Sequence, residues 1–445
     1  MRTAAACAFA VLAVASARPA RAFCGFFVGK ADGQLFNQSS QVAIVRDGDR
    51  TVITMGNDFK GEMDEFALVV PVPSVLTREQ IHVGERKLLE RLDGYSAPRL
   101  VEYTDENPCA PRAYPMALAA RSMGMRDKQQ DVSFERALGV TVEAAYTVGE
   151  YDIVLLSATQ SQGLEIWLRE SGYRIPAQAS AALAPYIRQN MKFFVARVNV
   201  KEQRKTSFQE LRPIQIAFES PKFMLPIRLG MANADGPQDL IVYALTRNGR
   251  VESSNYQTVK IPSNVEVPEY IQQEFGDFYK ALFARSWREY GRRAIATEYV
   301  WNMGFCDPCA APPLAADELR ALGVFWLDEG PQSGPQQGFR RGAGVPVTLT
   351  RLHVRYDNEH FPEDLAFQET GDQQSFQGRY VIRHAWSGDA TCPAASEYRE
   401  RLKERRRREA ETVASLTGWE PARIHKRMGP DAPPANDPWW KKLWR

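Results

Sequence analysis

Residues 41–55 read QVAIVRDGDRTVITM, two alternating apolar runs on either side of Asp47-Gly48-Asp49. A period of two is the signature of a strand, and an Asp-Gly pair between two such runs is hairpin turn chemistry, so the stretch predicts two antiparallel strands. The next segment, EFALVVPVP at 65–73, is an apolar strand stopped by Pro71 and Pro73, which cannot donate to a ladder. In REQIHVGERKLLERL at 78–92 the period changes: Ile81, Leu88, Leu89 and Leu92 share one helical face.

Outward from there the same alternation of elements continues. VTVEAAYTVGEYDIVLLSA (140–158) reads as two strands around Gly149, and SQGLEIWLRESG and PAQASAALAPYIRQN read as two helices. KFFVARVNV, PIQIAFES, FMLPIRL and DLIVYALT are strand-like by their branched and aromatic content. PEYIQQEFGDFYKALFARSW, opened by Pro268, repeats Ile271, Phe275, Phe278, Leu282 and Phe283 with helical period. The fold class is therefore α+β: strand-rich mixed sheets covered by a few amphipathic helices, near 79–92, 161–189 and 268–290, with disulfide stabilisation.

The chain divides by composition. Residues 1–22 carry Arg2, an apolar run and a small-x-small motif ending at Ala22, which predicts a signal peptide cut there and a periplasmic or secreted product. Residues 23–330 form the main α+β region. Residues 331–346, rich in Gly, Pro and Gln, read as a loop or linker. Residues 347–426 supply a C-terminal strand pair and a charged helix, and 427–445 a Pro-rich and Trp/Lys-rich tail. Loss of Arg2, Arg18 and Arg21 takes the 56 basic residues to 53 against 54 acidic ones, a balance that excludes a nucleic-acid footprint. Trp439, Trp440 and Trp444 among the lysines of the tail suit a weak contact with a membrane surface.

Past the cleavage point five cysteines remain, Cys24, Cys109, Cys306, Cys309 and Cys392, an odd number open to several pairings. The pair in GFCDPC (304–309) has the spacing of a redox centre or half a zinc site. A thiolate of that kind needs a helix N-terminus beside it, and Ala-Ala-Pro-Pro after Cys309 defers any helix to about Leu314. Zinc needs a second pair, and the other cysteines are scattered singly. In an oxidising compartment the five are therefore disulfide candidates, with Cys306 or Cys309 reaching a distant partner.

Other chemistry is sparse. If TLTRLHVRYD (348–357) and GRYVIRHAW (378–386) pair, His353 and His384 come together with Asp357 and His360 in a polar cluster. Set against this, Arg351, His353 and Arg355 share one side of an alternating strand and describe a solvated face. Ser157 ends an apolar strand before a helix without the glycines of a nucleophile elbow, so it reads as a capping residue. No phosphate loop or dinucleotide fingerprint is present and no cofactor is implied.

FCGFFVGKADGQLFNQSS, RDGDRTVITMGNDFKG, FALVVPVP, APRLVEY, YDIVLLSA, GLEIWL, LPIRLGMANADGPQDLIVYALT, EYVWNMGFCDPC, TRLHVRYD and FPEDLAFQE together resemble the exported bacterial family known as domain of unknown function 2330. The resemblance implies an exported protein of the envelope or exterior and no activity. The expectation is a non-enzymatic, disulfide-stabilised envelope protein that binds an envelope or extracellular ligand or serves as a structural component. The alternative is an envelope enzyme, a thiol-disulfide oxidoreductase at CDPC or a hydrolase assembled from distant residues.

Overall fold

The computed structural model describes residues 26–29, 36–60, 65–109, 140–158, 161–171, 173, 179–199, 211–233, 236–308, 310–328, 345–388 and 392–432. The leader, Cys24, Cys309, the 331–344 part of the linker and the tryptophans of the tail lie outside the described residues.

The opening hairpin forms as its sequence requires. Strands Phe36–Asp47 and Arg50–Lys60 pair antiparallel, with Val45 opposite Val52 and Asp47 opposite Arg50. Gly48 turns the chain at φ +57°, a region that glycine enters without a side-chain penalty. This hairpin lies within a nine-stranded mixed sheet. The order across it is 257–260, 294–302, 348–356, 238–246, 36–47, 50–60, 214–219 and 81–83, with the short strand 376–377 also on 294–302. A second sheet of five antiparallel strands runs 26–29, 65–72, 192–199, 151–158 and 140–148.

Alternation explains how the two sheets stack. Val42, Ile44, Ile53 and Met55 of the large sheet share one core with Leu68, Val70, Ile153 and Phe194 of the small one. The intervening Ala43, Val45 and Val52 face the other way and are covered by Leu88, Leu89, Leu92 and Tyr95 of the helix Arg86–Ser96. Full burial of each such leucine stabilises the fold by about 1.5–3 kcal/mol. On the far side of the small sheet, Ala67, Val69, Phe193 and Val195 are covered by the helices Ser161–Glu170 and Ala179–Arg188. The central strands of both sheets are thus buried on both faces, which is why runs such as VAIV and LIVYAL are apolar at every position.

A fourth core gathers the helix Ile271–Glu289 with the C-terminal helices Pro393–Thr417 and Pro421–Met428 over Tyr380 and Ile382. Two expectations are corrected here. Strands 348–356 and 379–384 do not pair. The first lies inside the large sheet between 238–246 and 294–302, and the second is the centre of a small parallel sheet between 265–266 and 99–104. The C-terminal region is therefore woven into the main sheets. The side carrying Arg351, His353 and Arg355 is also not solvated: Arg351 is buried, and the Phe283 ring of the helix Ile271–Glu289 stacks on the His353 ring with centroids 3.6 Å apart.

One disulfide forms among the described residues, Cys109 to Cys392, across 283 positions. It ties the segment after strand Arg99–Thr104 to the start of the helix Pro393–Thr417. Asp105 reinforces the joint, accepting hydrogen bonds from Tyr398 Oη at 2.7 Å and from Arg405 Nη1 at 2.7 and 3.1 Å.

Candidate functional site

The polar cluster expected from His353, Asp357, His360 and His384 is dispersed by the fold. His360 meets Asp357 within one turn, Nδ1 to Oδ1 2.8 Å. His384, in the parallel sheet, meets Glu102 at 2.7 Å. Only His353 enters a larger assembly, and its partners come from positions that the sequence reading did not single out.

That assembly starts from a β-bulge. In strand Ala294–Asn302, Thr297 stands opposite Leu352 and Tyr299 opposite Arg351, leaving Glu298 as the extra residue. A bulge re-aims a side chain, and here it turns a carboxylate toward two cations of the neighbouring strand. Glu298 Oε2 accepts from Arg351 Nε at 2.6 Å, and Oε1 lies 2.7 Å from His353 Nδ1 and also accepts from Tyr279 Oη. Arg351 Nη1 continues to Asp93 Oδ1 at 2.6 Å, and Tyr243 Oη donates to the same oxygen at 2.9 Å. On the other side Asp239 lies 3.4 Å from His353 Nε2 and receives both Arg355 Nε and Nη2 at 2.7 Å.

Electrostatics follow from this packing. Burial works against every charge in the set, but His353 and Arg351 outweigh it at Glu298 and hold its pKa at about 2. At His353 the penalty of burial is likewise outweighed by Glu298 and Asp239, and the pKa is raised. An imidazolium with carboxylates at both nitrogens has no lone pair for a metal or a substrate proton. The cluster is a clamp joining the helix Arg86–Ser96, three strands of the large sheet and the helix Ile271–Glu289. Among the described residues no group of three or more His, Cys, Asp or Glu is placed to hold a metal ion.

The other sequence candidates are separated as well. Ser157 neither caps a helix nor meets a histidine; its hydroxyl donates to Glu143 Oε1 at 2.5 Å. Cys306 is exposed and its thiol is free, while Cys309, the other cysteine of CDPC, lies outside the described residues. The next helix begins only at Ala316. Asp307 between the cysteines accepts from Tyr299 Oη and Gln377 Nε2, both at 2.9 Å.

An open, unfilled space lies elsewhere, at one edge of the interface between the two large sheets. Pro71 stands opposite Phe193 near the end of the strand Glu65–Val72, Pro73 follows that strand, and Pro221 and Pro226 bracket the two-residue strand Met224–Leu225. A proline supplies no N–H, so the pairing that would close the gap cannot extend. What remains is a cavity of about 220 Å³ walled by Ile53, Met55, Val70, Ile216, Phe218 and Leu225. Across Pro221–Pro226 lies a polar cleft of about 380 Å³ with Lys222, Arg228, Asn255, Glu363 and Asp364 in its wall. Segment 220–227 is well anchored: Arg46 Nη1 donates to the Ser220 carbonyl at 2.9 Å, Phe367 N to the Phe223 carbonyl at 2.7 Å and Ile227 N to Asp364 Oδ1 at 2.9 Å. No signal in the sequence announced this cavity except the spacing of the four prolines.

Residues 18–368 match the family known as domain of unknown function 2330, described as an uncharacterized protein conserved in bacteria. The matched span takes in the carboxylate–cation cluster and all residues of the cavity and cleft, and it ends before His384, Cys392 and the two C-terminal helices. No curated protein and no solved structure matches the chain.

Proposed function

This chain belongs to the bacterial family of domain of unknown function 2330, and we propose that it is an exported, disulfide-braced binding protein of the cell envelope, with the cavity at the sheet edge as its ligand seat. The observation that carries this reading is the cavity itself. A gap of about 220 Å³ with mostly apolar walls, four prolines among its lining residues, is suited to receive an apolar group. By contrast, His353 has a carboxylate at each ring nitrogen and is not open to a ligand. Export is supported by the composition of residues 1–22 and by the Cys109–Cys392 bond, since such bonds persist in oxidising compartments.

Two measurements test the reading. The neutral dye N-phenyl-naphthylamine should brighten on binding the purified protein, and Met224→Trp, which places an indole at the cavity wall, should abolish the signal while leaving the melting temperature unchanged. A dye signal that survives Met224→Trp moves the seat elsewhere. Osmotic-shock fractionation should release a product starting at Phe23 with Cys109 and Cys392 resistant to alkylation; an uncut, fully reduced chain in the cytosol refutes export.

A further inference from the structure

We propose that the apolar cavity and the polar cleft on the two sides of Pro221–Pro226 are halves of one seat for a single-chain anionic amphiphile, its short alkyl tail in the cavity and its carboxylate or phosphate monoester head at Lys222. This deepens the binding reading above and rests on it.

The two spaces share one strip of wall, since Gln189, Pro221, Lys222 and Met224 line both. On the cavity side Lys222 is the only ionisable residue among the described residues of the wall. Its ammonium donates to the neutral Gln189 Oε1 at 2.8 Å and has no carboxylate partner among the described residues. A cation at the mouth of an apolar pocket with only an amide for company is complementary to an anionic head whose tail lies within.

Neither described acid of the cleft forms an ion pair with that lysine. Asp364 is buried, and its Oδ1 accepts from Tyr186 Oη at 2.5 Å, Ile227 N at 2.9 Å and Arg228 N at 3.3 Å. Its Oδ2 lies 3.5 Å from Arg228 Nε. Glu363 Oε2 receives Asn255 Nδ2 at 3.2 Å. Arg228, the other cation of this wall, is taken up by Asp364, which leaves Lys222 as the cation open to a ligand.

Size sets the tail. An apolar cavity of ~150 Å³ accepts one benzene, so about 220 Å³ takes roughly six to eight carbons in a single chain and excludes a diacyl lipid. Each methylene buried should then raise affinity roughly fourfold, until the cavity is full.

The test is displacement of N-phenyl-naphthylamine from the full chain by octanoate, octyl phosphate and octanol, with butanoate and hexanoate as a length series. Octanoate or octyl phosphate should outcompete octanol about threefold to fivefold, the range of an exposed ion pair, and the advantage should shrink in high salt. Which of the two anions is tighter distinguishes a free fatty acid from a phosphate-headed source. Lys222→Ala should equalise the acid and the alcohol, and Lys222→Glu should reverse their order; Lys222 is exposed, so both variants keep the fold. Equal competition by octanol in the natural protein, or an advantage that survives Lys222→Ala, overturns the proposal while the binding reading stands. Dye that binds but is displaced by none of the three also overturns it. Failure of the natural protein to bind the dye removes the binding reading and this inference together.

Discussion

Replacing Glu298 by Gln removes one negative charge from the centre of the buried clamp and leaves the shape of the side chain intact. In the folded chain Glu298 answers two cations, Arg351 at 2.6 Å and His353 at 2.7 Å, and both are shielded from water by the helix Ile271–Glu289. Its pKa falls from 4.5 to about 2, and at about 1.4 kcal/mol per unit that difference corresponds to roughly 3 kcal/mol of stability at neutral pH. Removing one member of a buried pair strands the other and typically costs about 3–5 kcal/mol, so the two routes agree. The sign of the pH dependence follows. A carboxylate with a depressed pKa stabilises fully above its unfolded value, and that contribution fades as pH falls toward the folded value. Urea midpoints for the natural protein and Glu298→Gln should therefore be well separated at pH 7 and converge between pH 4.5 and 2. A difference under about 1 kcal/mol at pH 7, or one that stays constant on acidification, would refute the electrostatic account of the cluster.

Two further outcomes follow from other parts of the fold. Cys392→Ser opens a loop of 283 positions and should cost roughly 5 kcal/mol in the chain-entropy model, read as a lower urea midpoint and as faster proteolysis of the helix Pro393–Thr417. Burial raises the Glu409 pKa to about 7 even though Arg405 lies 3.4 Å away. The folded state then binds the proton more tightly than the unfolded one, and stability declines as pH rises from 4.5 to 7. Glu409→Gln should thus raise the melting temperature at pH 8 and leave it unchanged at pH 4.5; a loss at pH 8 would show that the Arg405 pair outweighs the burial cost.

Much of the scaffold was legible because single-chain periodicity reports burial directly. The Asp47-Gly48-Asp49 hairpin, the helix that follows Pro268 and the strand DLIVYALT stand where their patterns put them. Pairing between distant strands was not legible. TRLHVRYD and GRYVIRHAW look alike as isolated strands, yet one joins the large sheet and the other a separate parallel one, because partner choice depends on which faces meet and not on local alternation. The solvated-face reading of Arg351, His353 and Arg355 failed for a related reason. Alternate cations along a strand describe a wet surface only when nothing packs on that side, and Phe283 and Trp287 of the helix Ile271–Glu289 do pack there.

The clamp and the cavity lie on opposite faces of the large sheet, the clamp under helices and the cavity at the interface with the small sheet. Where the helix Ile271–Glu289 covers the large sheet, the strand beneath it presents cations, and a one-residue bulge at Glu298 provides the matching charge. That bulge has no sequence signature, since Glu298 looks like any acid at the head of EYVWN, and only the shift from Thr297 to Tyr299 turns it inward. Where no helix covers the gap, between the strand Glu65–Val72 and segment 220–226, the chain places prolines, and with no N–H to extend a ladder the two layers part. Closing the first region required charge complementarity between elements far apart in sequence. Leaving the second open required only residues that cannot pair, and for that reason the prolines at 71, 73, 221 and 226 are the one part of the candidate seat written plainly in the chain.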